Sequence, residues 1–172
     1  RYKVRTRRYV DTGTNWLEVK AVGGRGTTVK NRMAYRPGST RTLTAIGRAY
    51  VADTLAASAI DPTDVAGLVP LLETSYRRTT LFLPNPSRPW SGARVTIDTD
   101  LAWVDLEDAR ALTRPDLAIV ETKTGSTPSA MDRVLWAHGH RPSRISKFGT
   151  GLAALRPELP ANKWNRALVA LQ

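Results

Sequence analysis

Charged side chains recur at every second residue through most of the extended stretches of this chain, and that spacing constrains the fold most. Lys3, Arg5 and Arg7 form one set; Glu18 with Lys20, Lys30 with Arg32, Arg94 with Asp98 and Asp100, and Glu121 with Lys123 form the others. Successive side chains of a strand point to opposite faces, so each set occupies one side of a sheet. The residues between them are largely apolar: Leu17 and Val19, Val29, Val95 and Ile97, Val120. A wet face on an antiparallel sheet explains any single set. Several such sets, dominated by cations, fit strands whose ionic sides line an interior channel, with an anionic polymer as guest.

Composition narrows the chemistry. A chain of 172 residues fits one domain, and 41% hydrophobic residues suffice for a core. The formal charge of +11 points to an anionic partner: nucleic acid, acidic lipid or a phosphate polymer. Arginine outnumbers lysine, which favours forked recognition of phosphate. Aromatic residues make up only 7%, and Trp16, Trp103, Trp136 and Trp164 fall at packing positions, which argues against a base-stacking platform for nucleic acid. The absence of cysteine excludes disulfides, thiolate metal sites and cysteine nucleophiles, and fits a reducing, cytoplasmic compartment. His138 and His140, two residues apart, do not share a helix face, so neither a histidine metal pair nor a Ser-His-Asp triad is expected. A metal would then be held by carboxylate oxygen, which suits magnesium or manganese, and Glu18, Asp98, Asp100 and Glu121 are the candidates. No apolar run reaches the roughly 20 residues of a membrane span, and no signal peptide is visible.

Along the chain, strands are expected at Arg1–Val10, Trp16–Val22 and Thr27–Tyr35, joined by Asp11-Thr12-Gly13 and by a hairpin tip at Gly23-Gly24-Arg25-Gly26. A helix capped by Ser39 or Thr40 should run to about Ser58, with Leu43, Ile46, Tyr50, Val51 and Leu55 on one stripe. Strands return at Leu71–Leu83 and Ala93–Val104, with Pro84–Gly92 as a surface linker, and again at Leu117–Lys123. Helices are expected from Pro128 to His138, Ser146 to Leu155 and Ala161 to Leu171. The expected fold class is α+β, a single domain of antiparallel strands with inserted and appended helices.

In order, Lys3-Val4-Arg5-Thr6-Arg7-Arg8-Tyr9, Leu17-Glu18-Val19-Lys20, Lys30-x-Arg32, Tyr76-x-Arg78, Arg94-Val95-Thr96-Ile97-Asp98-x-Asp100, Val120-Glu121-x-Lys123 and Ser146-Lys147-Phe148-x-x-Gly151 resemble the VTC domain. This is the polyphosphate-polymerase domain of vacuolar transporter chaperones, within the CYTH-like triphosphate tunnel metalloenzymes. The resemblance implies an antiparallel β-barrel of eight strands, of which about six are present here. The first two, with their Glu-rich motif, have no counterpart, and the chain opens inside a strand at Arg1, so it reads as lacking its natural beginning. The family's chemistry is transfer of the ATP γ-phosphate to a growing polyphosphate chain, assisted by Mn2+ or Mg2+. Triphosphate or polyphosphate hydrolysis on the same fold, or a non-catalytic polyphosphate sensor, are the alternatives.

Carried over residue by residue, Arg5, Arg7, Lys20, Arg94 and Lys147 would be catalytic. Together with Lys30, Arg77, Lys123 and Ser146 they would hold phosphate oxygens. Glu121 would bind the metal, with Glu18 a lesser candidate. Either arginine after Tyr76 fits the family pattern; alternation from Glu73 through Ser75 favours Arg77 over Arg78. The partners implied are ATP and inorganic polyphosphate, with membrane association only through other subunits or further segments.

Overall fold

The computed structural model describes residues 2–22, 28–36, 41–85, 88–125 and 127–171, which form seven strands and four α-helices. The chain is α+β, with two antiparallel sheets and no closed barrel among the described residues. The sheets belong to two compact units, Arg1–Pro70 and Leu71–Gln172. No helix is long and apolar enough to cross a membrane.

The first unit is a three-stranded meander, β1 (Tyr2–Tyr9), β2 (Thr14–Val22) and β3 (Thr28–Ala34), followed by α1 (Ala45–Ala57). Its alternation sorts the faces as expected. Leu17 and Val19 are fully buried and pack with Val51 and Leu55 of α1, Tyr35 and Val65, while Tyr2, Val4 and Met33 flank them. Burying each such aliphatic side chain contributes about 1.5–3 kcal/mol, so helix and sheet hold together through this layer. The glycine tip expected at 23–26 lies outside the described residues. So do Ser39 and Thr40, and the helix starts later than expected: Thr44 caps it, its hydroxyl accepting from Gly47 N–H at 3.1 Å. The Tyr35 hydroxyl accepts from Thr44 N–H at 2.8 Å, a tertiary contact that fixes the start. Ile46 falls off the expected apolar stripe and is 74% exposed.

The second unit is built on a long hairpin of β4 (Leu72–Asn85) and β5 (Arg88–Asp105), with β6 (Ala111–Arg114) and β7 (Ile119–Lys123) both paired to β5. The segment expected as a linker, Pro84–Gly92, is the end of this hairpin: Leu83 pairs with Ala93 and Pro84 with Gly92. Proline is tolerated where its missing N–H faces away from the ladder. Gly92 is required there, since a Cβ would lie 2.2 Å from the Leu83 carbonyl oxygen. β6, only four residues long, was not expected.

Register slips midway along the hairpin. Ser75 pairs with Ala102 but Arg77 with Thr99, so Asp100 and Leu101 together oppose Tyr76, and Asp100 takes a φ of 50°. This bulge flips the alternation of β5. Asp98 before it and Leu101, Trp103 and Asp105 after it therefore share a face with Leu72, Tyr76 and Arg78 of β4. Over the later half of β5 the helices supply the cover: Leu101 and Trp103 pack with Leu155 and Leu171, flanked by Leu72, Tyr76 and Leu112.

The helices are α2 (Ala130–Ala137), α3 (Lys147–Leu155) and α4 (Asn165–Leu171), the last preceded by a 3-10 turn at Asn162–Trp164. A capping box of Ser129 and Asp132 opens α2, and Thr122 of β7 donates to Asp132 at 2.6 Å. α3 is held at both ends. Trp103 Nε1 donates to the Lys147 carbonyl at 2.8 Å, and Arg156 clasps the fully buried Asp105 at 2.5 and 2.8 Å.

Candidate functional site

Sheet register assembles two ionic clusters, one in each unit. In the first, Lys3 pairs with Lys20, Arg5 with Glu18 and Arg7 with Trp16; Lys20 in turn pairs with Lys30 and Glu18 with Arg32. Directly paired residues share a face about 4.5–5.5 Å apart. Six cations, Lys3, Arg5, Arg7, Lys20, Lys30 and Arg32, thus surround one carboxylate on the side of the sheet opposite α1. Glu18 is 2% exposed, with Arg5 Nε at 2.9 Å and Arg5 Nη2 closer still on Oε2, and Lys30 Nζ at 2.8 Å from Oε1. Burial alone would raise its pKa, but the hydrogen bonds from Lys30 and Arg5 and the nearby charges bring it down to about 2.

The remaining cations crowd one another. Burial, then the charges of Arg5, Lys20 and Arg7, lower the Lys3 pKa to about 8. Loss of water leads that shift, and the neighbouring cations add to it. Trp16, expected to be a packing residue, lies on the same face half-buried, with the Arg32 guanidinium 4.5 Å from its ring centre.

In the second unit, Arg78 pairs with Asp98, Thr80 with Thr96 and Phe82 with Arg94, while β7 sets Lys123 beside Arg94 and Glu121 beside Thr96. Asp98 is fully buried and receives Arg78 Nε at 2.6 Å, Arg78 Nη2 at 2.7 Å and Lys147 Nζ at 2.5 Å. Burial opposes ionisation, yet these donors hold its carboxyl below the ordinary range. Tyr76 sits between the same two cations, its ring centre 5.2 Å from Arg78 Cζ and 5.1 Å from Lys147 Nζ. Lys147 is the first residue of α3, so the Trp103 contact with its carbonyl also sets where its side chain starts. Gly151 makes that contact possible: a Cβ there would lie 2.2 Å from Trp103 Cδ1. Ser146 caps the helix, accepting from Gly149 N–H at 3.2 Å and keeping its hydroxyl proton to donate.

Two expectations need correction. Arg77 faces away: it pairs with Thr99, its side chain is 87% exposed, and its Nε lies 3.5 Å from the Asp100 carboxylate. The arginine beside Asp98 is Arg78. Alternation from Glu73 favours Arg77, but the ionic face of this sheet continues the face of Leu72 and Tyr76, which lies under the helices. Asp100 leaves the set of Arg94 and Asp98 because the bulge turns it aside. Arg5, Arg7, Lys20, Lys30 and Glu18 do come together in the first unit, and Arg94, Lys123, Glu121, Ser146 and Lys147 lie in the second.

Carboxylates differ in their freedom to take a metal. Both oxygens of Glu18 and both of Asp98 are engaged by cations, so neither fits that role. Glu121 is 48% exposed, with Lys123 Nζ at 3.2 Å. Among the described residues no three His, Asp or Glu side chains gather closely enough to hold a metal by themselves. Glu121 is thus the carboxylate of these clusters with an oxygen open enough that it could hold a divalent cation. Next to it, the hydroxyl of Thr96 is buried without a hydrogen-bond partner.

The family model described as VTC domain matches residues 1–156. No curated protein and no solved structure matches the chain.

Proposed function

We propose that this chain, which belongs to the VTC domain family, binds ATP and inorganic polyphosphate and transfers the γ-phosphate to the growing chain. The observation that carries this reading is the pair of ionic clusters, each with a buried carboxylate that orients two cations and leaves further N–H donors to spare. Phosphoryl transfer needs positioning and charge neutralisation more than covalent help from side chains. The antiparallel tunnel of the family is part of the proposal.

Arg5, Arg7, Lys20 and Lys30 grip non-bridging phosphate oxygens in one unit; Arg78, Arg94, Lys123 and Lys147 do so in the other. Glu18 and Asp98 keep Arg5, Lys30, Arg78 and Lys147 in fixed orientations, so the donors are aimed before the guest arrives. Ser146 adds a hydroxyl donor at the start of α3. Glu121 would hold the divalent cation, which supplies neutralisation of the charge that builds on the transferred phosphoryl group. An oxygen at the end of the polyphosphate chain forms the new bond to the γ-phosphorus, the bond to the β–γ bridging oxygen breaks, and ADP departs. The cations then hold a chain longer by one phosphate.

The test is incubation with ATP and Mn2+, with resolution of nucleotide and phosphate products. Long polyphosphate accompanied by ADP is expected. Orthophosphate from tripolyphosphate without chain growth would refute the polymerase in favour of a hydrolase. A second reading, a polyphosphate sensor without turnover, is favoured by one observation: a single exposed carboxylate, Glu121, is left for a metal in these clusters. It predicts tight binding and neither product. Absence of tripolyphosphate binding at low salt would refute all three.

A further inference from the structure

We infer that the Thr96 hydroxyl is a phosphate ligand, donating a hydrogen bond to an oxygen of the bound chain beside Glu121; this rests on the phosphate-binding reading of the second cluster. Thr96 is 5% exposed, and its Oγ1 is buried with no partner. An orphaned buried hydroxyl is costly, because it has left water and gained nothing in return. Where it sits indicates what completes it. Thr96 pairs with Thr80 on one side and Glu121 on the other, and Arg94 and Asp98 stand two residues away along the strand, about 7 Å on either side. Lys123 is the partner of Arg94 and Arg78 the partner of Asp98.

Three cations, Arg78, Arg94 and Lys123, and two carboxylates, Glu121 and Asp98, stand around it; an acceptor drawn in among the cations is an anion, and a hydroxyl is the donor it would find there. The other orphaned atom among the described residues, Asn15 Oδ1, has a different setting. It lies at the start of β2, where the amide of the same side chain donates to Gly13 O at 3.3 Å. Valine has nearly the shape of threonine and no unmet polar atom. A site serving only the fold would be better filled by valine; a hydroxyl retained there is explained by a ligand oxygen.

Thr96→Val and Thr96→Ser test this, read by thermal stability without ligand and by calorimetric affinity for tripolyphosphate at low salt. Thr96→Val should leave the unliganded melting temperature equal or higher and weaken tripolyphosphate binding about ten-fold or more, the loss of a hydrogen bond to a charged acceptor. Thr96→Ser should keep wild-type affinity even where the missing methyl lowers stability. Unchanged affinity in Thr96→Val, with a lowered melting temperature, would mean that the hydroxyl serves a buried water, and overturns the inference. Equal losses of affinity in both variants would reduce Thr96 to packing and overturn it as well. Wild-type binding abolished by Arg94→Ala but indifferent to Thr96→Val defeats this inference alone. A wild-type protein that ignores tripolyphosphate defeats the phosphate reading itself and, with it, the role of Thr96.

Discussion

Replacing Glu18 by Gln removes the one negative charge around which Lys3, Arg5, Arg7, Lys20, Lys30 and Arg32 are arranged. The substitution keeps the shape but turns an acceptor for two cations into an amide that presents N–H to one of them. A carboxyl held at about 2 instead of 4.5 contributes about 3 kcal/mol to folding at neutral pH. Stranding the partners of a buried ion pair costs about 3–5 kcal/mol in measured cases, so the two routes agree. Because the folded-state pKa is depressed, this stability is fully present above about pH 4.5 and is lost as pH falls towards 2. At neutral pH, Glu18→Gln should lower the melting temperature by about 6–12 °C if the chain unfolds as one unit. The gap to wild type should narrow as pH drops below about 4.5. Tripolyphosphate restores negative charge to the face, so the variant should gain more stability from it than wild type does. Scanning calorimetry across pH, with and without tripolyphosphate, decides the matter. A variant that melts with wild type at neutral pH would refute the argument, as would a gap that ignores pH.

Other outcomes follow from the same clusters. Arg78→Ala should weaken tripolyphosphate binding and destabilise the fold by about 2 kcal/mol or more, because it leaves the buried Asp98 with Lys147 alone; Arg77→Ala should change stability by less than about 0.5 kcal/mol and leave binding intact. Equal effects from the two arginines would contradict the register. Lys3, lowered to about 8, binds fewer protons folded than unfolded between about pH 8 and 10.5, so stability should rise with pH through that window. A bound polyanion relieves the crowding, and near pH 9 tripolyphosphate should bind with uptake of up to about one proton, read by calorimetry in buffers of different ionisation enthalpy. No uptake there would show that the guest avoids this face. Glu121→Gln should abolish metal-dependent turnover while sparing metal-free tripolyphosphate binding; retained turnover removes Glu121 from the mechanism. Gly151→Ala should cost at least about 1–3 kcal/mol by driving a methyl group into Trp103.

The ionic faces were legible where a strand stays regular and its other face carries the core. In β1 to β3 the spacing of Lys3, Arg5, Arg7, Glu18, Lys20, Lys30 and Arg32 named the right face directly. The longer sheet resisted that logic for two reasons. Its face changes character along its length, apolar at Leu72 and Trp103 and ionic at Arg78 and Asp98, so a parity counted from Glu73 chose the wrong arginine. The bulge at Asp100 then reset alternation, and a positive φ at an aspartate leaves only a faint trace in sequence. Helix starts were blurred by competing hydroxyls: Ser39, Thr40 and Thr44 are all competent caps, and what favours Thr44 is a contact with the Tyr35 hydroxyl, nine residues earlier and just past β3. The roles of Glu18 and Asp98 were hidden because a carboxylate spaced among cations looks the same whether it awaits a metal or anchors its neighbours. Only their burial separates the two.

Clamping α3 by Trp103 at its beginning and Arg156 at its end bears on selectivity. Lys147 springs from a backbone with little freedom left to lose, so a guest engages it without first having to arrest a mobile segment. The entropic penalty of capture falls on the guest instead. Among anions of equal charge, the one that loses least freedom on meeting Lys147 would then be favoured, so the anchoring of α3 bears on selectivity alongside charge.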